Sequence, residues 1–325
     1  MITKIIFFAS DEFGADALQA LFSEKKYQIL CLISPEIKKQ GRNRKIITKE
    51  IDAFAIKNNI EILRPKTIDK TFISLLSKKQ PDIGIVVSSS YLIPDNLINI
   101  FPNKVINIHP SLLPKYRGPA PIQSSLINGE TTTGITVMQI TNQLDGGPIL
   151  AQLPLQIQNT DNAMNLKNKL IPLATKLLIN TLTNLKNNQI TLEKQNDKHA
   201  SYSKKIEKND GEINWSKSAE TINNKIRAYV GWPNSYTNYQ NKRLTIFSAH
   251  PIRLDDSNKY KKIGEVCAGN NRTYTIGNTE EKISATVRCK NSELIISELQ
   301  LENKNRMSIK DFLNGNNDFL SSSLG

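Results

Sequence analysis

The first part of the chain alternates short, wholly apolar runs with longer stretches in which apolar residues recur three and four positions apart. Lys4-Ile5-Ile6-Phe7-Phe8-Ala9 is such a run, and Phe13, Ala17, Leu18, Leu21 and Phe22 follow at helical spacing, which predicts a strand and then a helix. The alternation continues with strands expected over 29–33, 83–87 and 105–109 and helices over 46–58 and 69–78. Strands apolar at every position are buried on both faces. Interleaved with amphipathic helices, they predict an α/β class fold: a doubly wound, mostly parallel sheet with helices on both sides. Ligands of such a sheet belong at the carboxyl ends of its strands. A long helix is expected over 163–187. Beyond residue 208 the texture changes to short alternating segments, 244–247, 273–276, 283–287 and 294–296, separated by Asn, Gly and Asp turns, with one helix near 219–227. That pattern fits a small β-barrel.

A length of 325 residues suits two domains, each with its own core. The expected boundaries are 1–194 for the α/β domain, 195–208 for a polar linker and 209–325 for the barrel. The opening Met1-Ile2-Thr3-Lys4 leads straight into a strand without a signal-peptide pattern, and no apolar run approaches the roughly 20 residues needed to span a bilayer, so a soluble, cytoplasmic protein with no membrane partner is expected. A monomer is expected because no exposed self-pairing feature is visible. Cys31, Cys267 and Cys289 are odd in number and widely spaced, which fits reduced, structural thiols. His109, His199 and His250 lie far apart, so no metal site is expected.

The net charge of +13 makes a polyanion a candidate partner, although a lysine- and asparagine-rich composition alone would produce the same excess. The excess runs along the whole chain and singles out neither domain. The first strand is followed by Ala9-Ser10-Asp11-Glu12-Phe13. Neither glycine-built phosphate cradle occurs there, so dinucleotide and ATP chemistry lose ground.

The most informative segment leaves the strand at 105–109 and enters a proline-rich loop: Asn107-Ile108-His109-Pro110-Ser111-Leu112-Leu113-Pro114, then Tyr116-Arg117-Gly118-Pro119-Ala120-Pro121. Residues two apart in a strand share a face, so Asn107 and His109 stand side by side at the strand's carboxyl end. An amide and a protonated imidazole there could both donate to an oxygen that gains charge during acyl transfer. Taken alone, the same triplet also fits a strand-end cap and a satisfied core histidine. Farther along, Gln143-Leu144-Asp145-Gly146-Gly147-Pro148 sets a lone carboxylate in a glycine loop. Such a loop would let Asp145 approach the imidazole, raise its pKa and orient it, or would simply end a strand.

Asn107-x-His109 with Ser111 to Pro114 and Asp145 in its glycine loop resembles the active-site signature of the enzymes that use 10-formyltetrahydrofolate as formyl donor. The resemblance implies a Rossmann-like catalytic domain with an OB-like barrel behind it. It further implies that Asn107 and His109 polarise the formyl oxygen, that Asp145 positions the histidine and assists proton transfer, and that Ser111, Leu112, Leu113 and Pro114 line the folate pocket. Tyr116 to Gln123 resembles the branch of the family whose acceptor is methionyl initiator tRNA, in which formylation serves translation initiation. Sugar-nucleotide formyltransferases differ at Ile122-Gln123 and remain the alternative. Trp215, Trp232 and the stretch from Asp311 to Gly315 extend the likeness into the second domain, where both tryptophans read as packing anchors. Lys38-Lys39-Gln40-Gly41-Arg42-Asn43-Arg44-Lys45 holds five cations and no acid. It resembles the basic loop that engages the tRNA acceptor stem, with Arg42 the principal candidate and Arg44 and Lys45 as phosphate contacts. Two places depart from the family pattern: Ala9-Ser10-Asp11 replaces a glycine-threonine-proline turn, and Ser88-Ser89-Ser90-Tyr91 replaces an aromatic-glycine pair.

Overall fold

The computed structural model describes residues 2–36, 49–258, 261–270, 272–276 and 279–325. The basic stretch with Arg42, Arg44 and Lys45 lies outside the described residues. The chain forms two compact units. The first takes in Met1–Pro121, Thr132–Gln156 and Lys167–Ser203, and the second Ile122–Thr131, Ile157–Leu166 and Lys204–Gly325.

In the first unit β1 (Thr3–Ala9), α1 (Glu12–Ser23), β2 (Tyr27–Ile33), α2 (Glu50–Lys57), β3 (Ile62–Leu63), α3 (Lys70–Ser77), β4 (Ile83–Val87), α4 (Asp95–Ile98) and β5 (Val105–His109) build the parallel part of the sheet. The sheet has seven strands in the order β3-β2-β1-β4-β5-β6-β7, where β6 (Thr132–Gln139) and β7 (Ile149–Gln156) run antiparallel at one edge. Successive strands go outward from β1 in both directions, so the strand order reverses between β1 and β4, next to β5. β4 is buried at every position and β1 over its last five, as strands covered on both faces must be. Asp11 starts α1: its carboxylate accepts the N–H groups of Phe13 and Gly14 at 3.1 and 3.4 Å and pairs with Lys167 at 3.4 Å. The departure from a glycine-threonine-proline turn is thus a helix cap. The Tyr91 hydroxyl in the second departing loop donates to the Pro65 carbonyl at 2.8 Å.

Helix α5 (Pro121–Ile127) follows the proline-rich loop, and α6 (Ala163–Lys186) follows β7. The second unit adds α7 (Ala219–Tyr229), β8 (Ser235–Tyr239), β9 (Lys242–Arg253), β10 (Val266–Ala268), β11 (Thr273–Ile276), β12 (Thr279–Lys282), β13 (Ala285–Cys289), β14 (Ser292–Leu301), β15 (Met307–Ser308) and α8 (Ile309–Gly315). Its main sheet is antiparallel in the order β10-β13-β14-β9-β8, with β15 beside β14, and its core gathers Trp215, Ile226, Leu244, Ile296, Phe312 and Phe319. The Trp215 indole N–H donates to Thr237 Oγ1 at 3.1 Å. Trp232 corrects the sequence reading. It is 58% exposed in the turn after α7, where Gly231 has φ of +93°, and it anchors no core.

The linker expected over 195–208 also needs correction. Residues 195–203 belong to the first unit, tied down by hydrogen bonds from Arg117 N–H to Ser201 O (2.9 Å), Ser203 N–H to Arg117 O (2.7 Å) and Tyr116 N–H to Ser201 Oγ (2.9 Å). Polar composition suggested a solvated stretch, but these polar groups satisfy buried backbone. The three cysteines are free and buried; burial pushes the thiols of Cys31 and Cys289 up to about 12 and that of Cys267 to about 11.

Candidate active site

Strand β5 ends at His109, one strand beyond the reversal of strand order between β1 and β4, and β6 pairs with it so that His109 faces Thr136 across the ladder. The ring is almost wholly buried, at 4% exposure. Its Nε2 lies 2.9 Å from the Tyr116 carbonyl oxygen, an acceptor, so that nitrogen carries a proton and donates. Its Nδ1 lies 3.7 Å from Asp145 Oδ2. Burial lowers the pKa of the imidazole; the Asp145 carboxylate and the bond to Tyr116 oppose this without overcoming it. The pocket therefore favours the neutral ring, with the proton on Nε2, which donates to Tyr116, and Nδ1 as the acceptor. The sequence reading used a protonated imidazole as a donor to the substrate. Desolvation in this pocket disfavours that form, and the nitrogen that keeps its proton is already engaged.

Asp145 reaches the histidine from the loop between β6 and β7. Its backbone is left-handed, with φ of +47°, a conformation that aspartate tolerates better than most residues. Gly147 allows the loop to fold back, because a Cβ there would run into the Gln139 carbonyl oxygen. Asp145 Oδ2 accepts the Gly118 N–H at 2.7 Å, which orients the carboxylate. Asn107 shares a strand face with His109 and is half-buried, and its side-chain amide has no hydrogen-bond partner among the described residues. A half-buried donor without a protein partner at the end of a strand is available to a ligand.

The four residues expected to line a folate pocket behave differently from one another. Ser111 is 1% exposed and its hydroxyl donates to the Lys115 carbonyl at 2.6 Å; Leu113 is 3% exposed and packs on Met138 and Ile149. Both face their own domain. Thr136 and Gln152 lock the loop from behind: Thr136 Oγ1 donates to Ser111 O at 2.7 Å, and Gln152 Nε2 donates to Leu113 O and Thr136 Oγ1, each at 2.8 Å. Leu112 and Pro114 retain partial exposure. Among the described residues there is no group of three or more His, Cys, Asp or Glu able to hold a metal, and no helix long and apolar enough to cross a membrane.

Comparison with known proteins identifies the scaffold that carries this arrangement. Residues 3–182 match the family described as formyl transferase, and residues 205–317 match that described as formyl transferase, C-terminal domain. The chain belongs to the formyltransferase family. Among curated formyltransferases it is 34% identical over 313 residues to the methionyl-tRNA formyltransferase of Caldicellulosiruptor saccharolyticus, covering 96% of each chain. It is 33% identical to that of Pseudoalteromonas translucida, covering 98% of this chain and 95% of the relative. Among solved structures, the N-formyltransferase from Helicobacter canadensis, in complex with folinic acid and dTDP-3-aminofucose, superposes with a TM-score of 0.63 at 19% identity over 91% of this chain and 99% of that one. At that identity the likeness is one of fold.

Two residues that hold the surroundings of the His109–Asp145 pair escaped the sequence reading. Gln195, assigned to a linker, donates to the backbone carbonyls of Asp145 (2.8 Å) and Gly147 (2.7 Å). Arg117, noted only as part of a loop motif, is fully buried and donates to Gln195 Oε1 through Nε (3.0 Å) and Nη2 (2.8 Å). The position of Arg117 between Tyr116 and Gly118 was a usable signal. Gln195 offered none, since a glutamine in a polar stretch has no distinguishing pattern.

Proposed function

We propose that this protein transfers a formyl group from 10-formyltetrahydrofolate to the α-amine of methionyl initiator tRNA, acting as a cytoplasmic monomer in translation initiation. The observation that carries the chemistry is the convergence of the His109 imidazole, the Asp145 carboxylate and the free Asn107 amide at the end of β5. The full-length likeness to methionyl-tRNA formyltransferases supports the acceptor. The folate supplies an activated formyl carbon. The partly exposed apolar side chains of Leu112 and Pro114 suit an aromatic ring system, and the Asn107 amide suits its carbonyl.

As the amine adds, a C–N bond forms, charge gathers on the formyl oxygen, and the bond to the folate nitrogen breaks. The Asn107 amide N–H stabilises that oxygen. His109 Nδ1, unprotonated at rest, takes the proton that the ammonium must lose. The imidazolium formed is held by Asp145 at 3.7 Å and by the Tyr116 carbonyl until the proton passes to the leaving nitrogen. An aminoacyl ester lowers the pKa of its α-amine relative to a free amino acid, so more of this acceptor is neutral and nucleophilic. Arg42, Arg44 and Lys45 supply phosphate contacts for the acceptor stem.

Incubation with 10-formyltetrahydrofolate and charged initiator tRNA should yield formyl-methionyl ester. Asn107→Ala should lower turnover on the order of 10²–10³-fold with folate binding retained. Absence of the ester together with formylation of an amino sugar nucleotide would overturn the acceptor assignment.

A further inference from the structure

Three consecutive residues meet the two halves of the His109–Asp145 pair. The Tyr116 carbonyl receives the imidazole Nε2–H at 2.9 Å, and the Gly118 N–H holds the Asp145 carboxylate at 2.7 Å. Arg117, between them, turns the other way into the interior, fully buried, and its guanidinium grips Gln195 Oε1 by two N–H groups. The Gln195 amide then spends both its N–H groups on the carbonyls of Asp145 and Gly147. A buried guanidinium is costly to desolvate and needs a compensating partner. Asp197 provides one at 2.8 Å from its exposed position, and Arg117 in turn holds the Asp197 carboxyl below the usual carboxylate range.

The arrangement has a direction. With Arg117 donating twice to its oxygen, Gln195 cannot flip without setting N–H groups against a cation and its oxygen against two carbonyls. It therefore presents N–H groups, and only N–H groups, to the Asp145 loop. That loop needs an outside hold, because Asp145 is left-handed and followed by two glycines, and backbone of this kind keeps one shape only when its surroundings over-determine it.

We propose that Arg117 and Gln195 are positioning residues that set the distance between the Asp145 carboxylate and the His109 ring. The proposal rests on the reading of Asn107, His109 and Asp145 as catalytic only for its effect on turnover; its effect on the imidazole stands apart from that reading. Asp145 is the charged group facing the ring, and Arg117, behind the same loop, is matched by Asp197. If the carboxylate recedes, the imidazole loses the neighbour that supports its charged form, so its titration midpoint should fall.

The test compares the full-length protein with Gln195→Met, of similar volume, and with Arg117→Lys, which keeps the charge but not the paired donors. The His109 midpoint is read by NMR of the imidazole resonances, assigned with His109→Asn. Turnover and KM are read with 10-formyltetrahydrofolate and charged initiator tRNA. In Gln195→Met the midpoint should move down and kcat fall on the order of 10²-fold, with KM for the folate held within about twofold. Arg117→Lys should move both in the same direction. A folded Gln195→Met protein that is less heat-stable but keeps its His109 midpoint would reduce Gln195 to a structural role and overturn the proposal. If Arg117→Lys alone folds, the same midpoint decides. If the midpoint moves while His109→Asn keeps full turnover, the catalytic reading fails and the positioning stands.

Discussion

At His109 two opposing effects act on one ring. Burial disfavours the imidazolium, and the carboxylate of Asp145 favours it; burial is the larger. The outcome is an imidazole held toward its unprotonated form. The sign of its effect on stability follows. In the unfolded chain the residue binds a proton near its usual 6.5, whereas in the folded protein it resists until lower pH. Below about 6.5 the unfolded state therefore holds more protons, and stability falls as pH falls. Urea unfolding at pH 7.5 and 5.5 should show a larger loss on acidification for the parent protein than for His109→Asn. Equal losses would mean that the ring titrates normally. The sequence placed Asn107 and His109 on one face at the end of a strand, because residues two apart in an apolar strand are a local pattern. It did not show the protonation state, because desolvation depends on what covers the ring.

At the scale of elements, the short apolar runs of the sheet were legible: β4 and β5 coincide with the runs at 83–87 and 105–109. Strands buried on both faces have no polar positions to blur their limits. In the second unit the strands outrun the apolar segments. β9 covers Lys242–Arg253 and β14 covers Ser292–Leu301, because antiparallel pairing continues through solvent-facing residues such as Arg243 and Glu298. The segment 195–203 was read as linker for a related reason: its role lies in hydrogen bonds to residues about 80 positions earlier in the chain, Tyr116 and Arg117. The glycine loop allows a prediction at this scale. Gly147→Ala sets a methyl against the Gln139 carbonyl oxygen, and both belong to backbone that cannot yield cheaply. A loss of about 1–3 kcal/mol by denaturant unfolding is expected, with turnover falling because Asp145 shifts with the loop. A neutral substitution would show that the loop is not held as described.

For the whole molecule, the net charge of +13 acquires a use if the acceptor is a nucleic acid. Raising salt from 50 to 200 mM should then raise KM for charged tRNA steeply while leaving KM for the folate nearly unchanged, and Arg42→Ala should act on tRNA far more than on folate. Parallel responses of both substrates would count against a phosphate-binding role for the basic loop. The two-domain plan was readable from the change between strand-helix alternation and short alternating strands, since each pattern reflects which faces are buried, a property of neighbouring residues. Family membership was readable because Asn107-x-His109, Ser111 to Pro114 and Asp145 resemble a known signature in residue type and order, and the match over residues 3–182 and 205–317 bears the family out. What the sequence determined by itself was therefore everything set by local periodicity and by residue type. Only the tertiary structure decided the neutral state of His109, the inward turn of Ser111 and Leu113, the exposure of Trp232 and the hold of Gln195 on the Asp145 loop. Each of these depends on desolvation or on hydrogen bonds between residues distant in the chain, and neither leaves a periodic trace in the order of amino acids.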